Sequence, residues 1–217
     1  MNIILFIPEM IGIAAFAVSG AVTGIRKKFD LFGILALGAI TALGGGVTRD
    51  ILLGHLPPRM FHNYRYLTLT AIVSAIVFLS YKLNTRKREG QGILNKALVS
   101  KTTLALINIF DAIGLATFTI TGCGYAIEAG FGNNFFLVVF LGTMTGVGGG
   151  VLRDILSASV PLIFRKEVYA TASIAGGIAY FLLYNSISQT YAVIIGASII
   201  LIIRFTAIFF RWGLPKA

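Results

Sequence analysis

Two stretches of the chain each combine a glycine triplet with an arginine–aspartate pair, a combination that suits the handling of ions. They read GGGVTRDIL at residues 44–52 and GGGVLRDIL at residues 148–156. Three glycines in a row weaken a helix, because each costs about 1 kcal/mol relative to alanine in a helix interior. A helix that opens at such a point releases carbonyl oxygens, which bind cations, and presents amide groups, which favour anions.

The candidate ion-pathway residues are the triplet glycines and the threonines beside them: Gly44, Gly45, Gly46, Gly148, Gly149, Gly150, Thr41, Thr48 and Thr145. Irregular backbone inside a bilayer is tolerated where it is buried in protein or lines a water-filled cavity. We therefore expect the two helices that carry the triplets to be broken there. Close helix packing is the alternative use of the glycines, and hydrogen bonding within the helix is the commoner use of the threonine hydroxyls.

Charged residues within apolar runs form a second candidate set, for a charged pore or gate: Arg49, Asp50, Arg153, Asp154, Glu9 and Asp111. Such groups are costly in a bilayer and therefore pair or face water. Adjacent residues of a helix do not face each other, so each member of an Arg–Asp pair is expected to find its partner on another helix. Similar depths predict two symmetry-related pairs, Glu9 with Arg49 and Asp111 with Arg153. Salt bridges that only hold helices together would explain the charges equally well.

The elements that position these residues are membrane helices. The chain is 57% hydrophobic with a mean hydropathy of +0.88, and only 12% of its 217 residues are charged, about half the share in soluble domains. A helix needs roughly 20 mostly apolar residues to cross the hydrocarbon core. Seven segments qualify, at about 3–25, 31–53, 66–83, 103–127, 134–157, 168–187 and 190–210. An all-α integral membrane protein is the predicted fold class.

Basic residues between the spans predict the orientation. Thirteen arginines and lysines follow the odd-numbered spans, whereas only Arg59 and Arg65 lie on the other side. Basic loops remain cytoplasmic, so the N-terminus should be outside and the C-terminus inside. This distribution also explains the net charge of +10 without a nucleic-acid partner. Arg204 lies within the last span and is expected to extend toward the cytoplasmic edge.

The two glycine-rich stretches belong to a longer internal repeat. IGIAAFAVSGAVTGI at residues 11–25 aligns with IGLATFTITGCGYAI at residues 113–127. The predicted organisation is one membrane domain, residues 1–217, with repeat 1 at about 3–83, repeat 2 at about 103–187 and an extra helix at about 190–210. Because each repeat has three spans, the two must be inverted relative to each other. Inverted repeats recur in transport proteins, with the site near the midplane.

The doubled GGGVxRD pattern, the arrangement of three, three and one spans, and RKEVYA at residues 165–170 resemble prokaryotic members of the trimeric intracellular cation (TRIC) channel family over essentially the whole chain. The resemblance implies a homotrimer in a prokaryotic cell (inner) membrane. Each protomer would have its own potassium-permeable pore, lined by the second and fifth spans. Lys166 and Glu167, from the Lys-Glu-Val signature of that family, join the candidate gate residues.

Two functions remain open from the sequence. The first is a channel for K⁺ or Na⁺, and the second is a secondary transporter of a small zwitterion such as glycine, since the domain family has also been labelled a glycine transporter. Inverted repeats and broken helices would fit both. Neither a nucleophile–base set nor a zinc motif is apparent, so we expect no enzyme activity, cofactor or metal site. Membrane lipids are the only other expected ligands.

Overall fold

The structure is a computed structural model that describes residues 2–86, 93–165, 168–210 and 212, with the side chains of 84–86, 93–101 and 165 outside the description. This part of the chain forms nine α-helices: α1 (Ile3–Arg26), α2 (Leu31–Leu52), α3 (Arg59–His62), α4 (Tyr64–Arg86), α5 (Ile93–Ala126), α6 (Phe135–Leu156), α7 (Leu162–Arg165), α8 (Ala170–Tyr184) and α9 (Gln189–Phe210). A π-helical turn, Ile127–Phe131, continues α5. The chain is an all-helical membrane protein.

Six helices of the described chain are long and apolar enough to cross a membrane, namely α1, α2, α4, α5, α6 and α9. The predicted span at 168–187 corresponds to α8, which is apolar but only 15 residues long. At 1.5 Å per residue it extends about 22 Å, whereas the hydrocarbon core is about 30 Å thick. A crossing by α8 therefore remains a prediction.

The two helices that carry the glycine triplets begin in the same way. The Asp30 side chain accepts a hydrogen bond from the Gly33 amide (2.7 Å) at the start of α2, and the Asn134 side chain accepts one from the Leu137 amide (3.0 Å) at the start of α6. Each side chain satisfies one of the amides that a helix N-terminus leaves without an intrahelical partner. Equivalent caps thus fix where α2 and α6 begin.

Replacing either cap by alanine, as Asp30→Ala or Asn134→Ala, is expected to lower the free energy of unfolding by about 1 kcal/mol, because a helix amide loses its acceptor. The measurement is equilibrium unfolding of the purified protein in detergent, followed by circular dichroism. Asn133 is exposed and adjacent to Asn134, so Asn133→Ala is the matched control and should change the free energy by less than about 0.5 kcal/mol. Equal effects of Asn133→Ala and Asn134→Ala would contradict the capping role.

The centre of the protein is formed by α1 and α5, which pack antiparallel. Leu5, near the start of α1, lies against Gly124, near the end of α5, whereas Phe16 further along α1 lies against Gly114. The rings of Phe16 and Phe118 are 5.3 Å apart. Because α5 and α1 carry the aligned segments of the repeat, equivalent helices of the two halves pack against each other.

The prediction that the second and fifth spans are broken at their glycine triplets is wrong. Both α2 and α6 are continuous helices through residues 44–46 and 148–150. A Cβ atom on Gly45 would collide with the carbonyl oxygen of Thr145, and one on Gly149 would collide with that of Thr41. The glycines therefore allow the backbones of α2 and α6 to touch where they cross, and this contact favours an intact helix in spite of low propensity.

Candidate functional site

We call the contact between Gly45 and Gly149 the glycine crossing. Two groups of charged and polar side chains lie on either side of it, all of them buried except the half-buried Arg59. The Glu9 cluster consists of Glu9, Arg49, Asp50, Arg59, Tyr66 and Tyr125. The Asp111 cluster consists of Ser19, Asp111, Arg153, Asp154 and Tyr169. The carboxylates and arginines of each cluster come from the helix that opens its half and from the end of the helix that carries the glycines, except Arg59, the first residue of α3.

In the Glu9 cluster, Arg49 binds two carboxylates. Its Nη1 atom lies 3.2 Å from Glu9 Oε1 and its Nη2 atom lies 2.8 Å from Asp50 Oδ1. The exposed fractions of Arg49, Glu9 and Asp50 are 1%, 5% and 2%. Bulk solvent therefore does little to screen these charges from one another. Pairing is what makes such burial tolerable, because an isolated buried ion is strongly unfavourable.

Tyrosines from both halves complete the Glu9 cluster. Tyr66 of α4 and Tyr125 of α5 each donate a hydrogen bond to Glu9 Oε2, at 3.2 and 2.9 Å. The guanidinium carbons of Arg49 and Arg59 both lie 4.2 Å from the ring centroid of Tyr125, within the range of a cation–π interaction. Two arginines thus lie against the Tyr125 ring, and the hydroxyl group of the same tyrosine binds Glu9.

The Asp111 cluster repeats this plan. Arg153 Nη1 lies 2.6 Å from Asp111 Oδ1 and donates to Ser19 Oγ, also at 2.6 Å. Its Nη2 atom lies 2.8 Å from Asp154 Oδ1. Ser19 belongs to α1 and Tyr125 to α5, so each cluster also receives a side chain from the first long helix of the other half.

Asp50 and Asp154 have the same further role. The second carboxylate oxygen of Asp50 accepts the backbone amide of Arg59, and that of Asp154 accepts the backbone amide of Leu162, both at 2.9 Å. Each aspartate thereby fixes the short helix that follows its long one. This match makes Leu162 the structural counterpart of Arg59.

The predicted pairs Glu9–Arg49 and Asp111–Arg153 are both present as ion pairs. One part of that argument is wrong, because Arg49 and Asp50 also bind each other, as do Arg153 and Asp154. The arginine side chain is long enough to turn back and place its Nε and Nη2 groups on the neighbouring carboxylate. Sequence adjacency on a helix excludes contact only for shorter side chains.

The candidate threonines are hydrogen-bonded within their own helices. Thr41 donates to the Leu37 carbonyl (2.6 Å), Thr48 to the Gly44 carbonyl (2.9 Å) and Thr145 to the Leu141 carbonyl (2.6 Å). Thr41 and Thr145 are also fully buried. In this conformation the hydroxyl groups of Thr41 and Thr145 are therefore not presented to an aqueous path, whereas Thr48 is half-buried.

A small cavity lies beside the Glu9 cluster. Its volume is about 20 Å³, and its lining includes Gly46, Glu9, Arg49, Asp50 and Tyr66. A cavity of this size and polarity has room for about one water molecule. The counterpart of Gly46 is more crowded, because a Cβ atom on Gly150 would lie 2.8 Å from the hydroxyl of Tyr169 and 3.3 Å from Asp111 Oδ1. The two halves are thus chemically matched but not equally open.

The sequence did not predict several residues of the two clusters, notably the tyrosines. Tyr66 and Tyr169 each stand eight residues after a proline, Pro58 and Pro161, that precedes a short helix, and this shared spacing is the signal that would have identified them. Lys166 and Glu167 lie outside the described residues. Their proposed place in the gate stays a prediction.

Together, these features define a multi-pass membrane protein of two related halves with paired charges buried beside a helix crossing. The chain belongs to the TRIC family: the family model described as "Glycine transporter" matches residues 6–82 and again residues 108–185. The two matches coincide with the two halves that the clusters define.

Relatives of known sequence are membrane proteins. The UPF0126 membrane protein of Deinococcus radiodurans is 38% identical over 201 residues, covering 92% of this chain and 85% of that protein. The UPF0126 inner membrane protein YadS of Escherichia coli is 34% identical over 208 residues, covering 95% of this chain and 91% of its own length.

Solved structures with the same fold are TRIC channels. A prokaryotic TRIC channel crystallised in 0.5 M KCl gives a TM-score of 0.86 at 33% identity, covering 99% of this chain and all of that one. The trimeric intracellular cation channel orthologue from Rhodobacter sphaeroides gives a TM-score of 0.83 at 26% identity, covering 96% of this chain and 98% of its own.

Proposed function

We propose that this protein is a potassium-permeable cation channel with a pathway inside each protomer. The observation that carries the proposal is the pair of buried ion clusters on either side of the glycine crossing. In each cluster an arginine is bound by two carboxylates, so its positive charge is offset and does not by itself exclude cations. The close similarity to TRIC cation channels supports the same function.

In terms of this proposal, the structure represents the closed conformation of the channel. The backbones of α2 and α6 touch at Gly45 and Gly149, and the cavity beside Gly46 has room for about one water molecule. A hydrated cation needs more space than this. Conduction therefore requires α2 and α6 to separate as intact helices, which would expose the remaining candidate pathway residues, Gly44, Gly148, Gly150, Thr41, Thr48 and Thr145.

The proposed architecture is two inverted three-helix repeats followed by a seventh membrane helix, α9. Its support is the antiparallel packing of α1 against α5 and the two separate matches of the family model. The basic loops favour an external N-terminus and a cytoplasmic C-terminus. By analogy with the Rhodobacter orthologue, which is a trimeric channel, we propose a homotrimer in the inner membrane of a prokaryote.

Transport of a small zwitterion such as glycine is the second candidate, favoured by the description of the family model. That mechanism draws on broken helices, whose amide ends would bind the substrate carboxylate. Because α2 and α6 are continuous, these helices offer no amide ends at the glycine triplets. The same intact helices also withhold the carbonyl oxygens that a broken helix would offer to a cation, so the preference for the channel rests on the similarity to TRIC cation channels.

The test is reconstitution of the purified protein into a planar bilayer with a gradient of potassium chloride. Unitary currents that reverse near the potassium equilibrium potential are expected, and a protein-free bilayer is the control. Labelled glycine is added to matched proteoliposomes in parallel. Saturable glycine counterflow in the absence of unitary currents would refute the channel and support the carrier.

A further inference from the structure

The last helix, α9, contributes a buried arginine next to the Asp111 cluster. Arg204 is 1% exposed, and its guanidinium carbon lies 4.7 Å from the centroid of the Tyr169 ring. The guanidinium group is therefore buried against Tyr169 and does not reach water, as a side chain that extends from the membrane to its edge would. The α9 helix follows both matched segments of the family model, which end at residue 185, so this arginine comes from outside the repeat.

Tyr169 fills the space that remains open in the other half. It is 1% exposed, and its hydroxyl group stands at Gly150, close to Asp111. At the matching glycine, Gly46, the nearest atom to an added Cβ would be Arg49 Nη2 at 3.8 Å, and the cavity begins there. The position of Tyr169 is thus what closes this end of the crossing.

The second arginine has a different origin in each half. In the Glu9 cluster it is Arg59, which follows α2 directly and contacts the Tyr125 ring. The structural counterpart of Arg59 is Leu162, which carries no charge. Arg204 supplies the missing cation, so that two arginines again accompany two carboxylates, Asp111 and Asp154.

We propose that Arg204 is a positioning residue that holds Tyr169 against Gly150 and Asp111, so that α9 keeps one end of the ion pathway closed. This inference rests on the proposed channel function and identifies the contact that governs its opening. A cation over an aromatic ring in a water-excluded site is attracted by the ring quadrupole. Displacement of α9 separates the two groups and frees Tyr169 to leave the crossing.

Arg204 is suited to such a reversible contact. Within the described residues, its Nε and Nη2 atoms have no hydrogen-bond partner, whereas Arg153 is bound by Asp111, Asp154 and Ser19. Among the residues that the structure describes, the guanidinium of Arg204 contacts the Tyr169 ring and forms no ion pair like those that hold Arg153. The contact can be broken without breaking an ion pair among these residues.

The first arm of the test records single channels from Arg204→Met, Arg204→Lys and the exposed-arginine control Arg65→Met. We expect Arg204→Met to raise the open probability by roughly tenfold, with trimer yield unchanged. Arg204→Lys keeps the charge and should give a smaller increase, while Arg65→Met should match the wild type. In a Tyr169→Ala background, Arg204→Met should have no further effect, because the residue it holds is absent.

The second arm does not depend on conduction. The protein is labelled with 3-fluorotyrosine, and the Tyr169 signal is assigned through its loss in Tyr169→Phe. Arg204→Met should shift this fluorine signal, while the signal of the exposed Tyr64 stays in place. An unchanged Tyr169 signal, or an equal gain in open probability with and without Tyr169, would overturn the proposal. Absence of currents from the wild type with a shifted Tyr169 signal would refute the channel and retain the contact.

Discussion

Arg153→Met is expected to lower the free energy of unfolding by about 3–5 kcal/mol, the largest effect that we predict for this protein. Arg153 is 1% exposed and binds Asp111, which is fully buried, and Asp154. Methionine has similar bulk but no charge, so both carboxylates would remain in a low-dielectric interior without their cation. The measurement is equilibrium unfolding in detergent, followed by circular dichroism.

The cause of this loss can be separated from loss of packing by a second substitution. In Arg153→Met/Asp111→Asn one of the two stranded carboxylates becomes neutral, so the double variant should be more stable than Arg153→Met alone. Arg65→Met removes an arginine of the same size from an exposed position and should have little effect. A double variant no more stable than the single one would show that the pairing of charges is not what stabilises the cluster.

Gly45→Ala and Gly149→Ala are each expected to destabilise the protein by about 1–3 kcal/mol, the usual cost of overpacking. The added methyl groups would meet the carbonyl oxygens of Thr145 and Thr41. These oxygens belong to the helix backbone and cannot rotate away as a side chain would. The helices must therefore move apart, and both unfolding and single-channel recordings should report the change.

Gly46→Ala is the matched control for this prediction, since it lies in the same triplet. Its methyl group would meet nothing closer than Arg49 Nη2 at 3.8 Å, which is ordinary van der Waals contact. Because alanine favours a helix by about 1 kcal/mol relative to glycine, this variant should be as stable as the wild type or more so. If Gly45→Ala were equally harmless, the glycine crossing would not be a close contact.

The sequence was sufficient to predict the class of protein, six helices of the described chain that are long enough to cross a membrane and the two ion pairs. Apolar length identifies a membrane helix directly. Charges within the bilayer either pair or face water, and the similar depths of Glu9 and Arg49 made these two residues the predicted partners. The repeat then gave the second pair, Asp111 and Arg153, by equivalence. These inferences depend only on position along a helix and on the cost of burying charge.

The tertiary contacts could not be predicted from position along a helix and the cost of burying charge. Glycine propensity predicted a break, but whether a helix opens depends on what packs against it, and here the backbone of α6 fills the space beside Gly45. Tyr125 and Ser19 enter clusters of the opposite half, which follows only from the packing of α1 against α5. Arg204 reaches Tyr169 from α9. Because α9 lies outside both repeats, comparison of the repeats could not predict this contact.

The third predicted span of each half, α4 in the first and α8 in the second, differs in length between the halves. This difference has a consequence for the surrounding lipid. The described part of α4 extends over 23 residues, whereas α8 has 15, and Leu182 near the end of α8 is 62% exposed. If α8 crosses the bilayer, as the sequence predicts, its short length is accommodated by local thinning of the bilayer or by packing against other helices, at a cost of fractions of a kcal/mol for each ångström of mismatch. In that case the mismatch would lie beside α8, and bilayer thickness would act together on α8 and on α9, which packs against it.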